Sequence, residues 1–311
     1  MSLRSVVLPG GERLALEGEP PYAATDLVPL VGKAFELPCD DPSLSGEGIP
    51  ESAYLEGAQA GWSEHPEWMD FLDESSPVWD LKSAERDLYM RHWRPHLGAV
   101  RVLDVGCGVG RFTLPFLERG AEVWSVDGDL ESLRRCAWHA AGLRGRLELH
   151  WSGVHVLPEV EVDVVIAAEV LPYVPRDREA LASMVARLRP GGVLLFSLEA
   201  RWGWAASQDA PVGGLKMALD GDGVVDLPGD RWVRTHDEDS VRALISSAGL
   251  ELEQLAPSHW LTDGPLEGVL GEMTLEELVE AEAKLAEHPV WGPLHRLWIG
   301  VARKPAGPTA G

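Results

Sequence analysis

The sequence predicts an open α/β sheet, largely parallel, with helices on both faces. One sign is that residues 99–200 alternate short apolar runs with helical periodicity, as in a doubly covered parallel sheet. A second is the stretch Val102-Leu103-Asp104-Val105-Gly106-Cys107-Gly108-Val109-Gly110-Arg111-Phe112, in which an apolar run carrying an acid meets three glycines at every second position and then a helical pattern. That order describes a buried strand, a tight turn whose backbone can approach a ligand, and a helix N-terminus facing it. The third is Asp127, at the end of the next apolar run 121–126, where an acid can take the two hydroxyls of a ribose. A nucleoside-bearing cofactor is the expected ligand.

Taken in order, the elements begin with a hairpin, Ser5-Val6-Val7-Leu8 and Arg13-Leu14-Ala15-Leu16, joined through Pro9-Gly10-Gly11. A Pro/Gly-rich stretch, 37–50, and a tryptophan-rich helical region follow. Expected strands are 101–105, 122–126, 146–150, 163–168 and 192–198, and expected helices are 111–119, 129–141 and 177–188. In the last of these connections Pro190 stops the helix and Gly191-Gly192 allow the reversal. Thr235-His236-Asp237-Glu238-Asp239-Ser240 supplies cap residues and first-turn acids for a helix to Ala248. Gly249 then fits a C-terminal cap, with a strand at 250–255 and a closing strand at 297–303. Thr274-Leu275-Glu276-Glu277 reads as a capping box opening a helix to about Glu287.

A dinucleotide site needs Gly-x-Gly-x-x-Gly, and counting from Gly106 the third glycine position is Arg111. The spacing instead resembles the first motif of class I S-adenosylmethionine-dependent methyltransferases, Asp-x-Gly-x-Gly-x-Gly. Three further segments stand in that family's order. Residues 162–174 resemble the fourth-strand motif, and 188–197 resemble the turn and fifth strand. Ser83-Ala84-Glu85-Arg86-Asp87-Leu88-Tyr89-Met90 is similar to a helix of quinone-type O-methyltransferases.

The resemblance implies a Rossmann-like seven-stranded methyltransferase sheet, its last strand antiparallel between the fifth and sixth, with S-adenosylmethionine as cofactor. It implies an N-terminal cap over 1–82, a core over 83–303 with insertions 200–234 and 257–296 after strands five and six forming a substrate lid, and a tail at 304–311. Cofactor contacts are expected from Arg86, Tyr89, Asp104, Gly106, Gly108, Gly110, Asp127, Gly128, Asp129 and Glu169. In particular, Arg86 would meet the methionine carboxylate and Asp104 the ammonium. Where the family often carries Gly-Asp-Ala for adenine, this chain has Ser152-Gly153-Val154, so backbone groups near Gly153 and Val154, or Asp129 from the other side, are expected there.

The composition narrows the acceptor. Net charge is −23, and residues 1–80 hold three bases, Arg4, Arg13 and Lys33, against sixteen acids. Such a surface repels phosphate backbones, which excludes nucleic acid as a partner. Cys39, Cys107 and Cys136 form no disulfide framework or metal spacing, so no metal is expected. No apolar run reaches membrane-spanning length and no leader is evident, which points to a cytoplasmic protein. Thirteen tryptophans are many, and Trp202 and Trp204, following strand five, are expected to line the acceptor site. His236 or Tyr173 is the expected base. Together these point to methyl transfer to an oxygen, or a nitrogen, of a small, bulky or apolar metabolite. A peptide methyltransferase using the acidic N-terminal region for docking and a non-catalytic cofactor-binding regulator are the alternatives.

Overall fold

The computed structural model describes residues 5–7, 13–15, 72–74, 76, 79–174, 176–206, 215, 218–219, 223–226, 232–262, 264–266 and 273–306. Most of the expected cap, including Trp62 and Trp68, and parts of both insertions lie outside these residues.

The sheet is built from β1 (Ser5–Val7), β2 (Arg13–Ala15), β3 (Arg101–Val105), β4 (Glu122–Asp127), β5 (Arg146–Trp151), β6 (Val162–Ala167), β7 (Leu188–Ala200), β8 (Val224–Asp226), β9 (Trp232–His236), β10 (Glu251–Ser258) and β11 (Leu297–Arg303). Its order is β10-β11-β7-β6-β3-β4-β5-β1-β2, with β9 pairing the carboxyl-terminal residues of β7 off this path and β8 pairing β9. The strands β5, β4, β3, β6 and β7 run parallel. β11 lies antiparallel between β7 and β10, as the family resemblance implied. The helices are α1 (Trp79–Trp93), α2 (Thr113–Glu118), α3 (Leu130–His139), α4 (Asp177–Arg187), α5 (Arg201–Ala206), α6 (Glu238–Ser247) and α7 (Leu275–Ala286). None is long and apolar enough to cross a membrane.

Alternation along each parallel strand divides the core in two. Val102, Val123, Leu149, Val164 and Ile166 face one side of the sheet, where they meet Tyr89 and Trp93 of α1, Phe116 of α2 and Leu133 of α3. Leu103, Val105, Val126 and Val165 face the other, against Leu181 and Met184 of α4 and Val241 and Leu244 of α6.

Three elements differ from the sequence expectation. The chain leaves α4 at Arg187, and Leu188 is already extended, because a proline disfavours helical backbone in the residue before it and Pro190 follows Arg189. Gly191 then takes φ 80 and donates to Lys304 O at 2.9 Å, anchoring the C-terminal end of β11. The N-terminal hairpin forms, with Val6 opposite Leu14, but its first strand pairs parallel with β5 through Val6–Leu149 and Val7–His150. This part of the expected cap extends the sheet edge. Within the expected insertion 200–234, β9 becomes a sheet neighbour of β7, with Glu199 opposite Thr235 and Ala200 opposite His236.

One glycine is required where β11 pairs with β7, opposite Phe196 on the sheet face away from α1. A Cβ on Gly300 would lie 2.1 Å from the Phe196 ring, and the Gly300 carbonyl accepts the Trp93 indole N–H at 3.2 Å. The Gly300→Ala variant should lose about 1–3 kcal/mol of stability, the usual cost of overpacking a core, as read by chemical denaturation.

Candidate functional site

Four neighbouring strands, β4, β3, β6 and β7, each carry an acid at or just past the carboxyl end: Asp127, Asp104, Glu169 and Glu199. Ligands of open α/β sheets bind beyond these ends. The four acids have different partners.

Asp104 is buried and accepts the Thr113 hydroxyl at 2.6 Å, and Thr113 also shares a hydrogen bond with Ser125 at 2.8 Å. Burial pushes the Asp104 carboxyl up to about 7; the Thr113 bond opposes the shift and the nearby Asp127 adds to it. Asp127 is half-buried and accepts Gly108 N–H at 2.7 Å and Asp129 N–H at 2.8 Å, one on each oxygen. It too is pushed up by burial, to about 6. Among the described residues neither acid has an ion-pair partner.

The glycine turn between them is held to β4, since Gly106 and Cys107 donate to Val126 O at 2.8 and 3.1 Å. Gly106 and Gly108 have φ of 68° and 53°, which favour glycine. A Cβ on Gly106 would meet Val170 at 2.3 Å, whereas one on Gly108 would have no described atom within 4 Å. The turn therefore presents bare backbone to open space beside two uncompensated carboxylates.

Glu169 is the most constrained of the four, a non-glycine residue with φ 56. Its N–H donates to the Ser197 hydroxyl at 2.8 Å, while its Oε1 accepts Tyr89 and Arg111, both at 2.9 Å. Burial alone would raise its carboxyl, but the charges of Arg111 and Lys82 and the Tyr89 bond outweigh this and hold it down at about 2. Tyr89 is fully buried and also reaches Ser197 at 3.2 Å. Arg111 lies 3.6 Å from Glu85, which Lys82 pairs at 2.8 Å, so α1 is tied to the glycine turn by charge. The side chain of Glu169 remains 25 % exposed, and Oε2 has no partner among the described residues.

Other expected site residues are distributed differently. The Arg86 guanidinium stands 5.9 Å over the Trp79 ring; the arginine gathered among the acids is Arg111. Asp129 caps α3, its Oδ2 accepting Ser132 N–H at 2.9 Å and the Ser132 hydroxyl at 2.6 Å. The Gly128 carbonyl accepts the Trp151 indole at 2.9 Å. Gly153 and Val154 lie in the loop after β5, which starts with Ser152 N–H donating to Asp127 O at 3.1 Å.

Tyr173 donates to Glu199 at 2.7 Å, and Glu199 pairs with Arg296, whose guanidinium lies 4.7 Å over the Trp204 ring. Trp204 is thus buried beside this ion pair, whereas Trp202 is 40 % exposed. His236 ends β9, the strand beside the carboxyl end of β7. Residues opposite each other in a sheet point the same way, so Thr235 shares the face of Glu199 and His236 the opposite one. Burial lowers the His236 imidazole to about 4, and the neighbouring charges are two ion pairs, Asp177 with Arg234 at 2.6 Å and Asp237 with Arg201 at 3.1 Å.

Arg111, Ser197 and His259, whose ring stands 5.4 Å from that of Tyr89, complete the cluster without having been anticipated, and Glu282 accepts the His259 backbone N–H at 3.0 Å. A serine inside an apolar strand and a glutamate on a helix carry no motif. Arg111 was visible, but as the residue that breaks the dinucleotide pattern. Among the described residues no group of His, Cys, Asp and Glu is placed to hold a metal ion.

These features fit a nucleoside with a cationic tail: a glycine turn open to ligand, carboxylates lacking counter-ions, and an ionised Glu169 with a free oxygen. Comparison with known proteins agrees. Residues 102–192 match the family model described as a methyltransferase domain. A ubiquinone biosynthesis O-methyltransferase of Idiomarina loihiensis is 29 % identical over 133 residues, covering 42 % of this chain and 54 % of the relative. A trans-aconitate 2-methyltransferase of an Azoarcus species is 32 % identical over 146 residues, covering 44 % and 50 %. The chain thus spans about half the length of the curated relatives it matches. Magnesium protoporphyrin IX methyltransferase from Synechocystis PCC 6803, solved with bound S-adenosylhomocysteine, shares the fold with a TM-score of 0.52 at 16 % identity, covering 78 % of this chain and 94 % of that one. The chain carries a class I S-adenosylmethionine-dependent methyltransferase domain, distantly related to the ubiquinone O-methyltransferases.

The pH dependence of stability isolates the Asp104 carboxyl. Its folded value lies above the ordinary 3.8, so the folded state holds an extra proton between about 4 and 7 and stability from this group falls as pH rises through that window. The buried histidines act in the opposite sense, so the informative quantity is the difference between variants. Asp104→Asn should gain stability relative to wild type as pH rises from about 4 to about 7 and level off above, measured by urea denaturation across pH.

Proposed function

We propose that this protein transfers a methyl group from S-adenosylmethionine to an oxygen of a small, bulky or apolar metabolite, with nitrogen the second choice. The observation that carries the reading is the open glycine turn flanked by Asp104 and Asp127, two carboxylates with no described counter-ion. In this reading Asp127 takes the ribose hydroxyls with its remaining lone pairs, and Gly106 to Gly110 leave room for the amino-acid end. Asp104 and Glu169 supply negative charge toward the ammonium and sulfonium. Bound there, S-adenosylmethionine supplies an activated methyl group, and the protein's part is mainly positioning and exclusion of water.

On the acceptor side Tyr173 is favoured over His236, because it stands just past β6 and is oriented by Glu199, whereas His236 points to the other face. Trp204, buried under Arg296, belongs with Tyr173. Relatives named as O-methyltransferases support oxygen as the acceptor atom.

Calorimetric titration tests the cofactor assignment. S-adenosylmethionine and S-adenosylhomocysteine should bind and NADH should not, and Asp127→Ala should weaken binding at least about tenfold, the scale of losing a charge-assisted hydrogen bond. Wild-type affinity in Asp127→Ala would remove the ribose assignment. Transfer of labelled methyl from S-adenosylmethionine into the small-molecule fraction of a cell extract, and not into its protein fraction, tests the acceptor class.

A further inference from the structure

Among the described residues two non-glycine residues adopt left-handed backbone, Glu169 at φ 56 and His259 at φ 65. Bulky residues persist there only where their surroundings over-determine them, and such positions gather at binding and catalytic sites. Both of these meet Tyr89. Glu169 accepts its phenol, and the His259 ring stands edge-on to it with centroids 5.4 Å apart.

The cause of the His259 conformation lies one layer out. Glu282, buried on α7, accepts three successive backbone N–H groups, from His259 at 3.0 Å, Trp260 at 2.9 Å and Leu261 at 2.7 Å. Gathering consecutive N–H groups on one carboxylate curls the chain just past β10 into a concave turn. The imidazole is thereby turned in among α1 and the glycine turn, where it feels the charges of Glu169, Arg111 and Lys82. Its Nδ1 shares a hydrogen bond of 2.9 Å with the Ser258 hydroxyl, and among the described residues Nε2 has no partner. Burial keeps the ring neutral. With Nδ1–H donating to Ser258, Nε2 carries an unused lone pair, on a ring that stands against Tyr89 and feels the Glu169 charge.

We propose that His259 forms the wall of the site facing the methyl-bearing end of the cofactor, with Nε2 directed at the place where donor methyl and acceptor atom meet, and that Glu282 is the positioning residue for it. This rests on the methyl-transfer reading above and deepens it by adding a residue from the β10–α7 connection to a site otherwise built at the ends of β3, β4, β6 and β7.

The test uses two probes that need no acceptor. S-adenosylhomocysteine lacks the methyl group, and sinefungin carries an ammonium where the methyl-sulfonium would be. An ammonium there should hydrogen-bond to Nε2, so wild type should favour sinefungin over S-adenosylhomocysteine. His259→Phe should lower that preference about tenfold, the scale of one hydrogen bond to a charged group, with little change for S-adenosylhomocysteine. Glu282→Gln, which keeps the imidazole but weakens its clamp, should lower the same ratio by a smaller factor. An unchanged ratio in His259→Phe overturns the proposal, and an unchanged ratio in Glu282→Gln alone overturns the positioning role. Should His259→Phe not fold, the wild-type His259 imidazole nitrogen resonances decide: they should differ between the two complexes, and coincident resonances overturn the assignment. Failure of wild type to bind S-adenosylhomocysteine would instead sink the cofactor reading itself.

Discussion

A carboxylate taken out of water must find compensating charge or give up its ionisation. At the carboxyl ends of β4, β3, β6 and β7 this protein places four acids side by side and compensates only half of them. Glu169 has Arg111 and Glu199 has Arg296. Among the described residues Asp104 and Asp127 accept hydrogen bonds from neutral donors, the Thr113 hydroxyl and the N–H groups of Gly108 and Asp129, and the Arg111 charge only partly offsets the burial of Asp104. Burial pushes their carboxyls up to about 7 and about 6, so the free protein holds them close to protonation near neutral pH. A ligand carrying positive charge into the space beside Gly108 would complete the electrostatics, and the sulfonium and ammonium of S-adenosylmethionine are suited to that place.

The surrounding elements serve this mouth from distant parts of the chain. α1 delivers Tyr89 to Glu169 and Ser197, and ties itself to the glycine turn through Lys82, Glu85 and Arg111. The Gly300 carbonyl holds the same helix to the sheet by accepting the Trp93 indole N–H. From the C-terminal side, Arg296 just before β11 reaches Glu199, and Glu282 of α7 curls the segment carrying His259.

Much of the centre was legible from sequence because it is local. The strand, glycine turn and helix from Val102 to Phe112 are contiguous, and an acid ending the next strand falls at a fixed place in such a unit. The closing strand and the capping box at Thr274 were legible for the same reason, each depending on neighbours within a few residues. What escaped depends on where long side chains run and on long-range pairing. On α1 Arg86 lies within one turn of Tyr89, yet its guanidinium stands over Trp79, a choice that spacing along the helix does not encode. His236 has the composition of a base, but its face was set by the register of β9 on β7, which no local pattern encodes. Glu282 and His259 are 23 residues apart and meaningful only once the chain has curled.

The central claim is that a cationic nucleoside completes the charge balance of Asp104 and Asp127. It is tested most directly by titrating the protein with S-adenosylmethionine near pH 6, where the ligand's amine is already protonated, in buffers of different ionisation enthalpy. A cation beside a carboxyl lowers its proton affinity, so binding should release protons, and Asp104→Asn should release fewer. Binding heats independent of buffer, the same release from Asp104→Asn, or no binding at all would contradict the account.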